Sequence, residues 1–261
     1  MNIALHPLVL VPLSLFVLTF VAWLGALYGR RHLPTEDGTQ EQSGLVIGAT
    51  LTLLALIVGF TFSMALTRYD LRKNYEEAEA NAIGTEFARA DLLPAADATK
   101  VRTLLERYVD QRVSWYTVLD EQQLRTIDNG TAQLQAALWS TVLPQALAQP
   151  TPITALVVAG MNDVLNAQGY TQAAWWNRIP VAAWYLMFFI AICANALIGR
   201  AHKPGQSIFS GGLYILPLVL SIAFFLIADI DTPRRGTIRV RPQNLLSLSE
   251  SLHDQSRSPA R

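Results

Sequence analysis

A charge-free apolar stretch of 22 residues, Leu45–Leu66, constrains this chain more than any other part of it. At a rise of about 1.5 Å per residue, a helix of this length crosses the roughly 30 Å hydrocarbon core of a bilayer. No Gly or Pro separates it from the polar residues that begin at Arg68. The stretch therefore predicts a transmembrane helix that continues into an aqueous helical domain.

Small residues recur along one face of this predicted helix at steps of three and four: Gly48, Thr52, Ala55, Gly59 and Ser63. Such a stripe lets another backbone come close in lipid, or it lines a narrow pathway. Helix packing is the commoner use, and both interpretations are kept. If the stripe lines a pathway, Thr52, Gly59 and Ser63 face it, and Phe60 lies beside or within its narrow point.

Three further apolar runs are long enough to span a membrane: Leu8–Leu27, Ile179–Leu197 and Ile208–Ala228. The 51% hydrophobic and 15% charged residues fit these runs, because a soluble chain carries about 25% charged residues. No Lys or Arg precedes the first run, which favours a retained span over a cleaved signal peptide. We predict an all-α integral membrane protein with four transmembrane helices and a cytoplasmic helical domain inserted between helices 2 and 3.

The predicted boundaries place transmembrane helices 1 and 2 in residues 1–67, the helical domain in 68–178 and helices 3 and 4 in 179–230. Residues 231–261 form a basic tail, and its end, Ser247–Arg261, is poor in hydrophobics and predicted to be disordered. Within the domain, Asp128-Asn129-Gly130 indicates a turn, followed by a helix from Thr131 to Leu143 that ends near Pro144. No period-two segment indicates a sheet.

The orientation follows from basic residues near the spans. Eight lie on the side of the helical domain and both termini: Arg68, Arg72, Lys73, Arg178, Arg234, Arg235, Arg239 and Arg241. Four lie on the other: Arg30, Arg31, Arg200 and Lys203. Cytoplasmic segments carry the excess of Lys and Arg, so the termini and the domain are predicted to be cytoplasmic.

Several short motifs resemble bacterial membrane proteins with a bestrophin-like domain, over nearly the whole chain. They are Gly59-Phe60-Thr61-Phe62-Ser63 before Arg68-Tyr69-Asp70, Glu79-Ala80-Asn81-Ala82-Ile83-Gly84-Thr85, Arg89-Ala90-Asp91-Leu92-Leu93-Pro94, Asn177-Arg178-Ile179-Pro180, Asp229-x-Asp231-x-Pro233 and Gly236-x-Ile238-x-Val240. The layout is similar, more distantly, to that of bestrophins, which are pentameric anion channels with a pore lined by the second helix. The resemblance implies a homo-oligomer that conducts inorganic anions in the bacterial inner membrane. A pentamer is the assembly that the similarity to bestrophins suggests.

Basic residues at the exit of the second span are candidates for a pore mouth. Arg68, Arg72 and Lys73 would form a ring of positive charge in an oligomer and raise the local anion concentration. The alternative, and commoner, role is contact with lipid head groups.

Metal and catalytic chemistry have little support in this sequence. Asp229 and Asp231 are weak metal candidates, since two carboxylates are far fewer than the acidic calcium clasp of bestrophins contains. Glu76, Glu77 and Glu79 indicate a solvated or ion-paired face. No catalytic motif, cofactor motif or histidine pair with metal-ligand spacing is present, and a net charge of zero gives no reason to expect nucleic acid binding.

These observations predict a homo-oligomeric membrane channel, anion-conducting, with a pore lined by transmembrane helix 2. The alternative is a membrane-anchored interaction or scaffold protein whose cytoplasmic helices bind a partner. An enzyme is not predicted.

Overall fold

A computed structural model describes residues 7–32, 37–201 and 212–257. The regular structure of these residues is entirely helical, which confirms the all-α prediction. The helices are α1 (Pro7–His32), α2 (Asp37–Arg89), α3 (Ala95–Thr117), α4 (Glu121–Ala148), α5 (Pro152–Trp176), α6 (Val181–Arg200), α7 (Gly212–Asp231) and α8 (Gln243–Arg257), with a 3-10 turn at Ala90–Leu92.

Local signals explain where several helices begin. Pro94 and Pro180 precede α3 and α6, where the fixed backbone angle of proline suits a helix start. Asp120 caps α4 by accepting the N–H of Gln123, and Thr151 forms a capping box with Thr154 at the start of α5.

Four helical segments are long and apolar enough to cross a membrane, as predicted: Val9–Arg30, Ser43–Leu92, Pro152–Arg200 and Leu213–Asp231. The segment Ser43–Leu92 is 50 residues long and lies almost wholly in α2, so it extends roughly 75 Å, more than twice the hydrocarbon thickness. The segment Pro152–Arg200 joins α5 and α6, which are separated by residues 177–180. In the second segment, the charge-free part ends at Leu66, so residues from Arg68 onward lie outside the apolar core. The predicted start of the fourth span at Ile208 lies outside the described residues.

The chain forms two compact units, one from Met1–Arg68 with Arg178–Ile238 and one from Tyr69–Asn177 with Arg239–Arg261. The first unit contains the apolar helices, and we call it the membrane unit. The second unit contains most of the charged residues of the chain, and for that reason we call it the aqueous unit. Helix α2 contributes its first half to the membrane unit and its second half to the aqueous unit.

Glycines bring α1 and α6 together in the membrane unit. A Cβ atom on Gly25 or Gly29 would collide with the backbone of α6, and one on Gly199 would collide with the carbonyl of Ala22 on α1. Small residues allow helices in lipid to gain dispersion energy through close backbone contact. This pair is the close-packed small-residue contact of the membrane unit, and the sequence analysis did not identify it.

A core of apolar side chains holds the aqueous unit together. Helix α3 contributes Val101, Leu105 and Tyr108, α4 contributes Leu138, and α5 contributes Met161, all of which have no exposed surface. Val101, Leu105 and Tyr108 are four and three residues apart, which puts them on one face of α3. Burying such side chains stabilises the fold by roughly 1.5–3 kcal/mol each.

The predicted break in α4 is wrong. The helix runs from Glu121 to Ala148 through both the Asp128-Asn129-Gly130 sequence and Pro144. Gly130 serves close packing instead of a turn, because a Cβ there would lie 2.6 Å from Nε2 of Gln111. That amide donates a hydrogen bond to the carbonyl of Ile127 at 2.9 Å.

The prediction of a disordered tail is also wrong for residues 247–257, which belong to α8, while residues 258–261 lie outside the described part. Leu245 and Leu252 of α8 are buried in the core, and Leu248 packs against Gly84 at 3.1 Å from the position of a Cβ. The carboxylate of Glu76 caps the start of α8 by accepting the N–H of Leu245 at 3.0 Å. Leucines three and four residues apart were the sequence signal for this amphipathic helix.

The α1–α6 contact predicts a cost for added volume. Gly199→Ala should destabilise the protein by about 1–3 kcal/mol, because its methyl group forces two backbones apart. Gly169→Ala is the matched control, since no described atom lies within 4 Å of a Cβ there. Thermal unfolding in detergent, followed by size-exclusion chromatography, checks the difference. Equal melting temperatures for the two variants would contradict this account of the contact.

Candidate functional site

The predicted pore-lining residues lie on an uncovered face of α2. Thr52, Gly59 and Ser63 are exposed, and Phe60 is 63% exposed. Among the described residues, no atom outside the helix lies within 4 Å of a Cβ built on Gly59. The opposite face of α2 is the covered one, with Leu54, Thr61 and Ala65 buried. Helix packing within one chain therefore does not explain the small-residue stripe.

Threonine hydroxyls on and beside the stripe are bonded to the helix itself. The hydroxyl of Thr52 donates to the carbonyl of Gly48 at 2.9 Å, and that of Thr67 donates to Ser63 at 2.9 Å. A threonine bonded in this way presents its methyl group together with a weakly polar oxygen. At Thr52 and Thr67 the uncovered face can therefore meet lipid, water or another protein without an unpaired hydroxyl donor.

The assignment of Arg72 to a pore mouth is wrong. The side chain is fully buried, and it donates hydrogen bonds to the carbonyls of Ala174 and Asn177, both at 3.2 Å. These carbonyls end α5, where the helix dipole favours a positive charge. Arg72 follows Ser63 by nine residues, and at about 100° per residue it lies half a turn from the stripe. The helical register was a sequence signal for this burial.

Arg68 and Lys73 differ in their environments. Arg68 is mostly buried and forms an ion pair with Asp231, with 3.8 Å between nitrogen and oxygen. Lys73 is exposed. Of the three predicted basic residues, Lys73 alone presents an accessible charge on the surface of the protomer.

The two weak metal candidates hold the backbone at the end of α7. Asp229 accepts the N–H groups of Thr237 and Ile238 at 2.7 and 2.8 Å. Asp231 accepts the N–H of Ile179 with both oxygens, at 3.1 and 3.2 Å, and pairs with Arg68. Both carboxylates are therefore structural acceptors where α6 begins and α7 ends. Within the described residues, no group of three or more His, Cys, Asp or Glu could hold a metal.

Two acidic residues beyond the span share the register of the stripe. Asp70 and Glu77 follow Ser63 by 7 and 14 residues, which places them within about 40° of it on a regular helix. Both are exposed. These two residues were not among the predicted site residues, although the periodicity that identifies the stripe also includes them.

Glu79, the last residue of the glutamate run, forms buried contacts, which confirms the ion-paired interpretation for this residue. This residue binds Arg112, and it accepts the hydroxyl of Thr171 at 3.0 Å. Arg112 also lies over the ring of Trp115, 4.7 Å from its centroid. Burial lowers the pKa of Arg112, but the charge and hydrogen bond of Glu79 outweigh it, so that the pKa is raised overall. A buried pair of this kind joins α2, α3 and α5 in one network.

Two buried tyrosines surround this network. Burial, and then the negative charge of Glu79, raise the pKa values of Tyr108 and Tyr116 well above the ordinary value. Both hydroxyls therefore stay neutral, and Tyr108 accepts a hydrogen bond from Gln135 at 3.1 Å. The two tyrosines therefore add no charge to the network, which acts as a structural support for the second half of α2.

The fold and this site define a class of protein: an all-helical membrane protein with four segments long enough to span a bilayer, in which the apolar part of one long helix has an uncovered face. The family model of the bestrophin-like domain matches residues 13–245 of this chain. The chain belongs to this bestrophin-like family.

Solved structures support the fold. A single-substitution variant of a bacterial bestrophin homolog from Klebsiella pneumoniae has a TM-score of 0.66 and 13% identity, over 95% of this chain and 99% of that one. Another structure of the Klebsiella pneumoniae homolog gives 0.62 and 13% over the same shares. A variant described as a membrane protein gives 0.62 and 14%, again over 95% and 99%. No curated protein matches the chain.

The contacts of Asp231 predict a stability effect. Asp231→Ala leaves the N–H of Ile179 and the charge of Arg68 without this carboxylate, so we expect a loss of roughly 1–3 kcal/mol or more. Asp254→Ala, at an exposed position of α8, is the control and should change little. Chemical or thermal unfolding in detergent provides the measurement. A loss no larger than that of the control would remove the structural role assigned to Asp231.

Proposed function

We propose that this protein is a homo-oligomeric ion channel of the membrane, with a pathway lined by the uncovered face of α2. The observation that carries the proposal is the exposed stripe containing Thr52, Gly59 and Ser63. Other small residues of the membrane unit, Gly25 and Gly29 among them, are used in contact between helices of the chain. The stripe has no such contact among the described residues of the protomer, so it can either bind another subunit or line a pathway. Similarity to bacterial bestrophin homologs supports the second use.

Several copies are needed for such a pathway, because one helix face cannot enclose a pore. The family resemblance favours a pentamer in which five α2 helices surround an axis. The apolar stretch 45–66 contains no charged residue, so a constriction there would gate by excluding water. Phe60, with 63% of its surface exposed, is the bulkiest candidate for that constriction.

Inorganic anions are the proposed permeant ions, and this preference now depends on Lys73. Arg72 is buried and Arg68 is paired with Asp231, so neither supplies an unpaired charge to a pore mouth. The exposed carboxylates of Asp70 and Glu77 oppose an anion preference, since fixed charges near a pathway attract ions of the opposite sign. The charge balance of this segment is therefore the quantity that selects the ion.

The proposed location is the bacterial inner membrane, with both termini and the aqueous unit in the cytoplasm. Eight basic residues on that side against four on the other support this orientation. No cofactor or enzymatic reaction forms part of the proposal.

A second candidate function is that of a membrane-anchored interaction protein. Where α4 ends and α5 begins, the aqueous unit exposes Leu143, Leu147, Ile153 and Leu156, with Leu147 74% exposed. A cleft of about 700 Å³ lies beside them, lined by Trp139, Ala146, Pro150, Pro152, Ala155 and Val158. Exposed apolar patches of this kind mark interaction sites. Particle mass separates the two functions, because a monomer cannot form the proposed pore.

Added volume on the stripe tests the pathway. Gly59→Val should alter ion flux into reconstituted vesicles while the assembled particle keeps its size, because the position is open within the protomer. Ser63→Arg should shift charge selectivity, since a ring of fixed charge acts strongly in a low-dielectric pore.

The control for both variants is Gly169→Val, at an open glycine of α5 in the aqueous unit. If the stripe only packs subunits together, Gly59→Val should dissociate the particle on a size-exclusion column. If Gly59→Val and Ser63→Arg give intact particles with unchanged flux and selectivity, the pore assignment is wrong.

The charge balance can be tested with two neutralising substitutions. Lys73→Gln should lower the chloride-to-sodium permeability ratio, measured from reversal potentials, because it removes the accessible positive charge. Glu77→Gln, the matched change of opposite sign, should raise the ratio. Each single charge is expected to act more strongly at low ionic strength, where screening is weak. The anion preference would be overturned if the wild type is sodium-selective and its chloride-to-sodium permeability ratio does not change in Lys73→Gln. That result would still be compatible with a channel.

A further inference from the structure

Glu86 is a buried carboxyl group of the aqueous unit that the proposed conduction pathway does not use. It lies on α2, three residues before the helix ends, and its side chain has no exposed surface. Within the described residues, neither of its oxygens has a hydrogen-bond partner. Its nearest opposite charge is Arg89, with 4.0 Å between Nη1 and Oε2.

Helix α5 leaves space for this carboxyl group at Gly160. A Cβ atom at Gly160 would occupy the positions of the Glu86 carboxylate and the Arg89 guanidinium. The acid is therefore set directly against the α5 backbone. Any larger residue at position 160 would expel the carboxyl group from the contact between α2 and α5.

The other acids that are buried among the described residues accept hydrogen bonds. Glu76 accepts from Asn244 and Leu245, and Glu79 binds Arg112 and Thr171. Asp229 and Asp231 accept backbone N–H groups, as described above. An ionised carboxylate without such donors is costly to bury, whereas a protonated one is tolerated. Glu86 is thus built to hold a proton.

The surrounding charges act on Glu86 from both helices. Burial raises its pKa to about 8, Arg89 on the same helix lowers it, and Asp163 of α5 raises it. The charged groups Asp91 of the 3-10 turn and Arg102 of α3 form an ion pair with each other. Asp163 is exposed, so its charge can be removed without opening the core.

We propose that Glu86 is a proton-binding site that couples pH to the packing of α2 against α5. With the proton bound, the neutral carboxyl group rests against Gly160. Without it, a negative charge is confined beside the α5 backbone and the exposed Asp163, and the two helices separate locally. The proposal concerns the aqueous unit and does not depend on ion conduction.

The sign of the effect follows from proton linkage. The pKa of Glu86 rises from the ordinary 4.5 to about 8 in the folded protein, so between these values the folded state binds more protons than the unfolded state. The contribution of Glu86 to stability therefore falls as pH rises through this window and is level above it. Glu86→Gln, a neutral residue of the same shape, should gain in melting temperature relative to wild type across the window.

Infrared spectroscopy gives a direct test on the full-length protein in detergent. At about pH 7, ordinary carboxyl groups are ionised, so a band from a protonated carboxyl group should be present in wild type and absent in Glu86→Gln. Glu77→Gln, at an exposed glutamate of the same helix, is the control and should keep the band. A band that is absent from wild type, or that survives Glu86→Gln, would overturn the proposal.

A second variant covers the case in which Glu86→Gln does not fold. Asp163→Asn removes the carboxylate that helps to raise the pKa of Glu86, so the protonated-carboxyl band should disappear at a lower pH than in wild type. Hydrogen exchange, corrected for the intrinsic pH dependence, should show protection lost in residues 80–89 and 155–165 at the same pH as the band. Loss of the band without any change in protection would show that the proton does not control the α2–α5 contact.

Discussion

The hydrocarbon core offers no hydrogen-bond partner to a peptide group, and this constraint determines the architecture of the chain. Each apolar segment must satisfy its own backbone, so each is a helix. The cost of exposing charge to lipid leaves Leu45–Leu66 without a charged residue. Since dispersion contacts and hydrogen bonds replace the hydrophobic effect within a membrane, glycines at 25, 29 and 199 bring α1 and α6 into backbone contact.

Outside the apolar stretch, contacts of buried charged side chains determine where the helices pack. Arg72 is bonded to the end of α5, Glu76 caps α8, and the Arg112–Glu79 pair joins three helices. A buried charge is stable only with specific partners, so each contact allows few alternative positions. Glu86 departs from this rule, because it is buried without hydrogen bonds and instead has a raised pKa. The long helix α2 carries most of these groups on one side and the uncovered stripe on the other.

Part of the site could be predicted from the sequence. The stripe follows from spacing alone, and its exposure agrees with either a pathway or a contact between subunits. The basic residues Arg68, Arg72 and Lys73 were grouped by closeness in sequence, although the helical register separates Arg72 from the stripe by half a turn. The roles of Asp229 and Asp231 could not be predicted, because their partners at Thr237 and Ile179 are set by the path of the chain.

The sequence by itself determined the four apolar helices and the helical character of the aqueous unit, because hydropathy and periodicity are local properties of the chain. The resemblance to the family rested on short motifs, which are also local, and the family match confirmed it. It misplaced the break in α4 and the end of the tail, where local turn and composition signals were overridden by packing of Gly130 against Gln111 and of Leu245 in the core. Only the tertiary structure decided which charges are buried, which face of α2 is uncovered and where Glu86 meets Gly160. These features depend on contacts between residues far apart in the chain, and their energies exist only once the helices have packed.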